Sequence, residues 1–585
     1  MKLFKYLLVS SIIYCFPAPG YSLEAPNLSG EVRDTIPDFL SVQPPRPITP
    51  RPYEFPEPEI PPQPKPPLVE PQPIPPPSSP NIPDIPGTII IKEFKFSGHT
   101  VFSSQTLVKS LESFTNKEIT FAQLLEAEQT ITNLYIEAGY INSGAVISAG
   151  QTFDPQGAIV TITIIEGSIK EIEVTGLTRL DPNYVKSRLA IATSKPFNVN
   201  NLYEALQLLQ LDPLIETISA ELAAGVRPEE SLLSVRVTQA DSLSLIPIFN
   251  NGRSPSVGSF RRGITIKEDN LFGFGDGIDV SYANTDGSDA VNGSYTIPVN
   301  PYNGKVRISG GFNSTRVIQA PFDVLDITGQ SDYYEISFSQ PVVQHPEQEF
   351  TLGLTVTIES SQSFLGGEPF PLSLGAEING NTDVTALRFF QDWTVRQPNE
   401  VFALRSQFSF GLEAFGATIN EVLPDSRFFT WRNQAQYVRQ LAPDTLWVAR
   451  TDLQVSSETL VPLEQFSLGG LSSVRGYPQD ILLTDNGLLL SSEVWLPVWR
   501  VENIIDETDG VLQIIPFFEL GIGWNAGIFP NPNPNTLVGV GLGVQWQMGS
   551  NFSARLDWGI PLVNIDVERN TLNDQGIYFN INARF

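Results

Sequence analysis

The chain has 585 residues and a formal net charge of −28, which excludes the basic field that a nucleic-acid-binding surface needs. It holds 2 histidines and 1 cysteine, Cys15, which lies in a leader-like N-terminal stretch, so the mature chain is expected to lack the residues for thiolate metal sites, disulfide frameworks and a cysteine nucleophile. No uninterrupted apolar run is long enough for a spanning helix, a test that alternating membrane strands escape.

Residues 1–22 read as an export signal. Lys2 and Lys5 supply the positive start, Leu7 to Phe16 the apolar stretch, and Gly20-Tyr21-Ser22 the small residues of a cleavage site. Export places the mature chain where no ATP is available. Residues 23–87 read as a linker. Ser29 to Val42 offers a short helix interrupted at Pro37. From Pro44 to Pro86 there are 20 prolines in 43 residues. Each fixes φ and removes an N–H donor, so this stretch predicts an extended polyproline spacer reaching up to ~130 Å.

After Gly87 the composition turns globular and a repeat appears. Residues 88–167 open on Ile89-Ile-Ile-Lys-Glu-Phe-Lys-Phe-Ser-Gly98, a strand running into a glycine turn. Helices are predicted over Ser103–Ser113 and Phe121–Ala138, the second with Leu124, Leu125, Ile131, Leu134 and Tyr135 at i, i+3, i+4 spacing. Strands follow near Ser143–Ser148 and Ala158–Glu166. Residues 168–240 restart with Ile169-Lys-Glu-Ile-Glu-Val-Thr-Gly176. Asp181-Pro-Asn begins a helix, Asn200 caps another, and strands are predicted near Thr217–Leu222 and Ser231–Thr238. Each unit is therefore β-α-α-β-β. A sheet so small leaves an edge that can accept an extended peptide, and the strand at Ser143–Ser148 is the expected edge of the first unit.

From Asp241 to Phe585 helical periodicity gives way to alternation. Val538, Val540, Leu542, Val544 and Trp546 alternate with glycines and glutamines. Phe552, Ala554, Leu556, Trp558 and Ile560 alternate with Ser553, Arg555 and Asp557. In the last strand, Ile577, Phe579, Ile581, Ala583 and Phe585 share one face. A soluble sandwich and a membrane barrel both produce this pattern. Predicted strands of nine to eleven residues, wettable polar faces and the terminal aromatic favour the barrel. At ~20 residues per strand and turn, 241–585 holds roughly sixteen strands. The fold class is thus two α+β units followed by an all-β transmembrane barrel.

One stretch fits neither class: Phe466-Ser-Leu-Gly-Gly-Leu-Ser-Ser-Val-Arg-Gly-Tyr477. Its glycines break a strand, and its apolar anchors Phe466, Leu468, Val474 and Tyr477 are too many for a free loop. It reads as a loop folded back into an enclosure, where Arg475, its single cation, needs an acidic partner.

The export signal, the two β-α-α-β-β units, the barrel carrying Val474-Arg475-Gly476-Tyr477 and the terminal Phe585 together resemble the two-partner secretion transporters (TpsB; the ShlB/FhaC/HecB haemolysin activation/secretion family). These belong to the outer-membrane superfamily of POTRA domains joined to a barrel. Relatives often carry an N-terminal helix that plugs the pore, for which Ser29–Val42 is the best candidate in this chain, short and holding Pro37. The resemblance covers residues 88–585. It implies that the Val474–Tyr477 motif lies at the tip of a loop inside the barrel lumen. It also implies that Arg475 pairs with an acid in a Phe-x-Asp-x-Gly strand. This chain has Phe517-Phe-Glu-Leu-Gly521, so Glu519 stands in the acid's place, with Phe517 and Gly521 flanking it. The extra methylene moves the carboxylate outward by ~1.5 Å.

The resemblance further implies a periplasmic location for the POTRA units and an outer-membrane location for the barrel. The partners it implies are a large secreted β-helical protein, outer-membrane lipid and the barrel-assembly machinery, which would read Phe585. The implied activity is secretion of the unfolded partner without ATP. A barrel-assembly or protein-import pore is the alternative, although such relatives usually carry three or more POTRA units. No cofactor or catalysis is expected. His99 and His345 are isolated, and neither a Gly-x-Ser-x-Gly elbow nor a phosphate loop occurs.

Overall fold

The computed structural model describes residues 69–71, 87–148, 150–151, 157–227, 229–505, 508–527, 529–566 and 570–585. The expected export signal, the helix candidate at Ser29–Val42 and nearly all of the proline-rich stretch lie outside the described residues. An exception is β1 (Val69–Pro71), which pairs in parallel with Ala220–Leu222. The spacer expected here thus contributes a short edge strand. Val69 and Glu70 retain N–H donors, and a proline is tolerated at an edge.

The first α/β unit runs through β2 (Thr88–Ser97), α1 (Ser104–Ser110), β3 (Glu118–Thr120), α2 (Phe121–Glu137), β4 (Gly144–Ile147) and β5 (Ala158–Ile165). Its sheet order is β3-β2-β5-β4. The three-residue β3 was not read from the sequence, because so short a segment shows no alternation. Ser103 caps α1, and Thr120 with Gln123 forms a capping box on α2. Leu107, Leu124, Ile131 and Tyr135 pack beneath the helices against Ile91, Val160 and Ile162.

The second unit contains β6 (Ser168–Thr175), α3 (Pro182–Ala192), α4 (Val199–Gln210), β7 (Ile215–Ala224) and β8 (Glu230–Gln239). Its sheet order is β1-β7-β8-β6. Asn198, rather than Asn200, caps α4: its side-chain oxygen accepts the Asn200 N–H at 2.9 Å. The same side chain donates to the Ala138 carbonyl at 3.0 Å, tying the start of α4 to the end of α2 in the first unit. Arg179 ties the second unit to the first barrel hairpin, pairing with Glu268 at 3.1 Å and donating to the Asn270 carbonyl at 2.9 Å.

Sixteen antiparallel strands, from Leu243–Asn250 to Ile577–Ala583, then close into a barrel among the described residues. Closure pairs Asn580–Asn582 with Ile248–Asn250, and Phe585 exchanges two backbone hydrogen bonds of 3.0 Å with Leu245. A closed barrel satisfies every ladder in lipid. Ile336, Phe338, Leu354, Leu542, Leu556 and Trp558 face outward and exposed, as an apolar belt requires. Several strands exceed the expected nine to eleven residues. Ile327–His345 has 19 and Asn486–Ile505 has 20. A tilted strand needs only ~9–11 residues to cross a bilayer, so these continue past it as hairpins held by their own ladders.

The buried carboxylate of Glu166 holds the turn after β2. It accepts from the Thr100 N–H at 2.6 Å, the Thr100 hydroxyl at 2.5 Å, the Val101 N–H at 3.0 Å and the Tyr135 hydroxyl at 3.2 Å. Burial pushes its pKa up, but the hydrogen bonds from Thr100, Val101 and Tyr135 outweigh that and hold it below the ordinary value of 4.5. The stabilisation is therefore present above the ordinary carboxylate range and is lost as pH falls through the lowered value. Amide hydrogen exchange on the intact chain should show protection at Thr100 and Val101 collapsing on acidification. In Glu166→Gln it should be weak at every pH.

Candidate functional site: a loop held inside the barrel

The loop of residues 457–485 joins strands Thr445–Ser456 and Asn486–Ile505. It folds back along the inner wall. Phe466–Leu468 pairs antiparallel with Leu482–Thr484, and this stem carries the turn containing Val474, Arg475, Gly476 and Tyr477. Phe466, Leu468, Val474, Tyr477 and Leu482 form one buried cluster with Leu537 of the wall.

The wall is shaped to receive the tip. Gly521 lies under Val474 and Leu468, whose side-chain atoms come within 2.8 and 2.9 Å of where its Cβ would sit. A Cβ on Gly559 would meet the Gly476 nitrogen at 2.4 Å, so any side chain there pushes the loop off. Gly476 itself has φ of 103°. Tyr578, fully buried, accepts from the Gly476 N–H at 3.1 Å and donates to the Tyr477 carbonyl at 2.5 Å. The Tyr477 hydroxyl lies 2.9 Å from the Val538 carbonyl and 3.0 Å from that of Val563, bridging two wall segments.

Arg475 is 3% exposed, so its charge depends on protein partners alone. Glu519 accepts its backbone N–H at 2.7 Å, its Nε at 2.9 Å and its Nη2 at 2.5 Å. The longer Glu side chain thus reaches both the backbone and the side chain of Arg475. Glu519 is not alone. Glu493 accepts from Nη2 at 2.5 Å, and Asp557 lies 3.1 Å from Nη1. The guanidinium also stacks 3.6 Å from the centre of the Phe517 ring. Arg555 shares the acids, donating to Glu493 at 2.9 Å and to Asp557 at 2.9 Å. Trp495 donates to the other Glu493 oxygen at 2.9 Å.

The residues alone called for an acid beside Arg475, the family resemblance pointed to Glu519, and neither indicated Glu493, Asp557 or Arg555. A signal existed for two of them, since Arg555 and Asp557 sit two apart on the polar face of an alternating strand. What was missing is convergence: the three acids lie on strands Asn486–Ile505, Thr508–Trp524 and Phe552–Pro561, which only closure brings round one cation. Phe585 is distant in role, being 77% exposed and engaged through its backbone at the closing seam. His99 and His345 lie apart, beside Ser104 and Glu204 respectively, and no cluster able to hold a metal occurs among the described residues.

Removing Arg475 leaves Glu519 unpaired and Glu493 and Asp557 with Arg555, the buried Arg450 lying further off. Arg475→Ala should destabilise the folded barrel by about 3–5 kcal/mol. Glu519→Asp, which keeps the charge and loses reach, should cost less. Thermal unfolding of the detergent-solubilised barrel, followed by its heat-dependent gel mobility, checks both.

Comparison with known proteins agrees with this architecture. The family model described as haemolysin secretion/activation protein ShlB/FhaC/HecB matches residues 229–546, and the POTRA domain model of ShlB type matches residues 89–167. The chain is 20% identical over 423 residues to the outer membrane transporter CdiB of Dickeya dadantii, covering 70% of this chain and 73% of the relative. It is 21% identical over 432 residues to the heme/hemopexin transporter protein HuxB of Haemophilus influenzae, covering 71% and 72%. The solved structure of CdiB from Escherichia coli superposes with a TM-score of 0.66 at 19% identity, over 88% of this chain and 94% of that one. BamA from Haemophilus ducreyi, solved without POTRA domains 1–3, gives 0.51 at 12% identity, over 85% and 100%. With a matching model that spans more than half its length, the chain belongs to the ShlB/FhaC/HecB haemolysin secretion/activation family, outer-membrane barrels with periplasmic POTRA domains.

Proposed function

We propose that this protein captures an unfolded, exported partner protein on its POTRA units and passes it through the barrel to the cell surface without nucleotide hydrolysis. The partner is a large secreted protein of β-helical type, and its folding outside supplies direction. The observation that carries this reading is a closed barrel whose inner wall holds an ion-paired loop. Such a loop closes the pore at rest and is a separable element. The relatives named as transporters agree with a transport role for the family. Lipid surrounds the exposed apolar belt, and the barrel-assembly machinery reads the strand ending in Phe585.

Capture uses the free edge of the first unit. Among the described residues β4 pairs with no strand besides β5, and its outer side is covered by side chains of α2 rather than by another strand. The outward N–H groups of Ala145 and Ile147 donate to Thr132 at 3.0 Å and Glu128 at 3.2 Å, both on α2. These side chains hold the places that backbone carbonyls of an incoming strand would take.

In cells, Arg475→Ala should insert as a barrel and lose surface release of the partner. Normal release would remove Arg475 from the mechanism. Ile147→Pro deletes one outward donor at an edge position where proline is tolerated, and should lower co-precipitation of the partner with the intact transporter. Loss of the whole chain should stop release of one exported protein and spare other outer-membrane barrels. A general collapse of barrel assembly would instead make it an assembly factor.

A further inference from the structure

The loop is fastened at its root as well as at its tip, by residues that neither the sequence motif nor the family description contains. Glu464 lies in the loop, eleven residues before Arg475. Its carboxylate receives both Nη atoms of Arg388, at 2.6 and 3.1 Å, a bidentate pair. Arg388 stands on the inner face of strand Asn381–Gln397, where Val384 and Ala386 are covered by Leu460, Val461 and Leu463 of the loop. The root is therefore seated on one part of the wall and the tip on another, and both must come away for the loop to leave.

A third residue makes this pair unusual. Glu359, on the neighbouring strand Gln348–Leu365, is 4% exposed and faces the same guanidinium at 3.7 Å, too far for a hydrogen bond. Its second oxygen is buried with no hydrogen-bond partner. Two carboxylates within 4 Å thus compete for one arginine, with Glu335 a third acid further off. In the seated state Glu359 is a cost, a desolvated acid beside another acid. Glu359 stands opposite Val384 and Thr355 opposite Arg388, so the two residues lie four positions apart along the paired strands and meet through the length of the arginine side chain, which also donates to Thr357 at 3.3 Å and Ser409 at 3.1 Å; closing on Glu359 takes a shift of about 1 Å at its Nη2.

We propose that Arg388 is a switch residue with two carboxylate partners, one for each state of the loop. With the loop seated it holds Glu464. With the loop withdrawn it closes on Glu359, so no bare cation is left on the lumen wall. The swap lowers the cost of releasing a buried ion pair, which otherwise leaves a charge stranded without a partner. The tip shows the complementary arrangement. When Arg475 leaves, Arg555 already holds Glu493 and Asp557, and Glu519 alone loses its ion-pair partner. In each place the wall keeps a counter-charge of its own, and the two seats are discrete alternatives rather than a continuum. The inference rests on the transport reading only in that the loop must quit the lumen for a chain to pass.

The test is single-channel recording of the purified full-length protein in planar bilayers, comparing wild type with Glu464→Gln and Glu359→Gln. Glu464→Gln weakens the seated pair and leaves the alternative intact, so open conductance events should rise about tenfold. Glu359→Gln removes the alternative partner and relieves repulsion in the seated state, so events should fall below wild type. Opposite signs are required. A merely structural cluster would loosen in both variants, so a rise in both, or no change in Glu359→Gln, overturns the proposal. Heat-dependent gel mobility confirms that each variant recorded is a folded barrel. Release of the partner by the same variants is scored separately. A protein that gates with opposite signs yet secretes nothing would end the secretion reading and leave the switch standing.

Discussion

The loop seat depends on keeping one buried guanidinium neutralised. Arg475 has no solvent to fall back on, and three carboxylates from three strands surround it. The arrangement is expensive to build and expensive to break piecemeal, because each group removed leaves an unpaired charge in a poorly solvated place. Specific position is what it yields. The Arg475 backbone N–H and side chain are both held by Glu519, while Tyr578 fixes the next peptide. Apolar packing of Phe466, Leu468 and Val474 supplies adhesion, and the ion cluster supplies register.

The barrel makes this possible by being closed. Its outer face must be apolar and its backbone ladders complete, so chemistry is confined to the inner face. There the side chains alternate between filling and receiving. Gly521 and Gly559 make room for the loop, and Phe517 gives the guanidinium a ring to lie on. The root adds a second fastening, at Arg388 and Glu464, on another part of the wall. Tip and root differ in which side supplies the cation: the loop at the tip, the wall at the root. The loop is thereby held by charge of both signs, and a single like-charged surface approaching it repels only one of its two seats.

The two α/β units obey a related economy. Each small sheet has an edge, and in each the edge corresponding to the strand before last is covered by groups of this chain. On β4 the cover is two side chains of α2, and on β7 it is the backbone of Val69–Pro71. Unpaired backbone donors are costly when buried and prone to aggregation when exposed, so weak local cover protects an edge that is also suited to accept a strand.

The sequence by itself determined the elements and their order. Period-two alternation marks the strands, i, i+3, i+4 spacing marks the helices, and the repeat of a strand ending in glycine at Gly98 and Gly176 marks two units. It also made Arg475 conspicuous, because a lone cation among apolar anchors demands an acid. These features are local, and local patterns survive in one dimension. The short β3 and the β1 edge were illegible for the same reason, since three residues carry no period. Which acids meet Arg475 was decided by the tertiary structure. Glu493, Glu519 and Asp557 are separated by up to 64 residues and converge only when the strands pair in register and the sheet curls shut. The same holds for Arg388, whose partners Glu359 and Glu464 lie on opposite sides of it in sequence and on different elements in space. Charge pairing acts at contact distance, and contact between distant residues exists only once the chain has closed on itself.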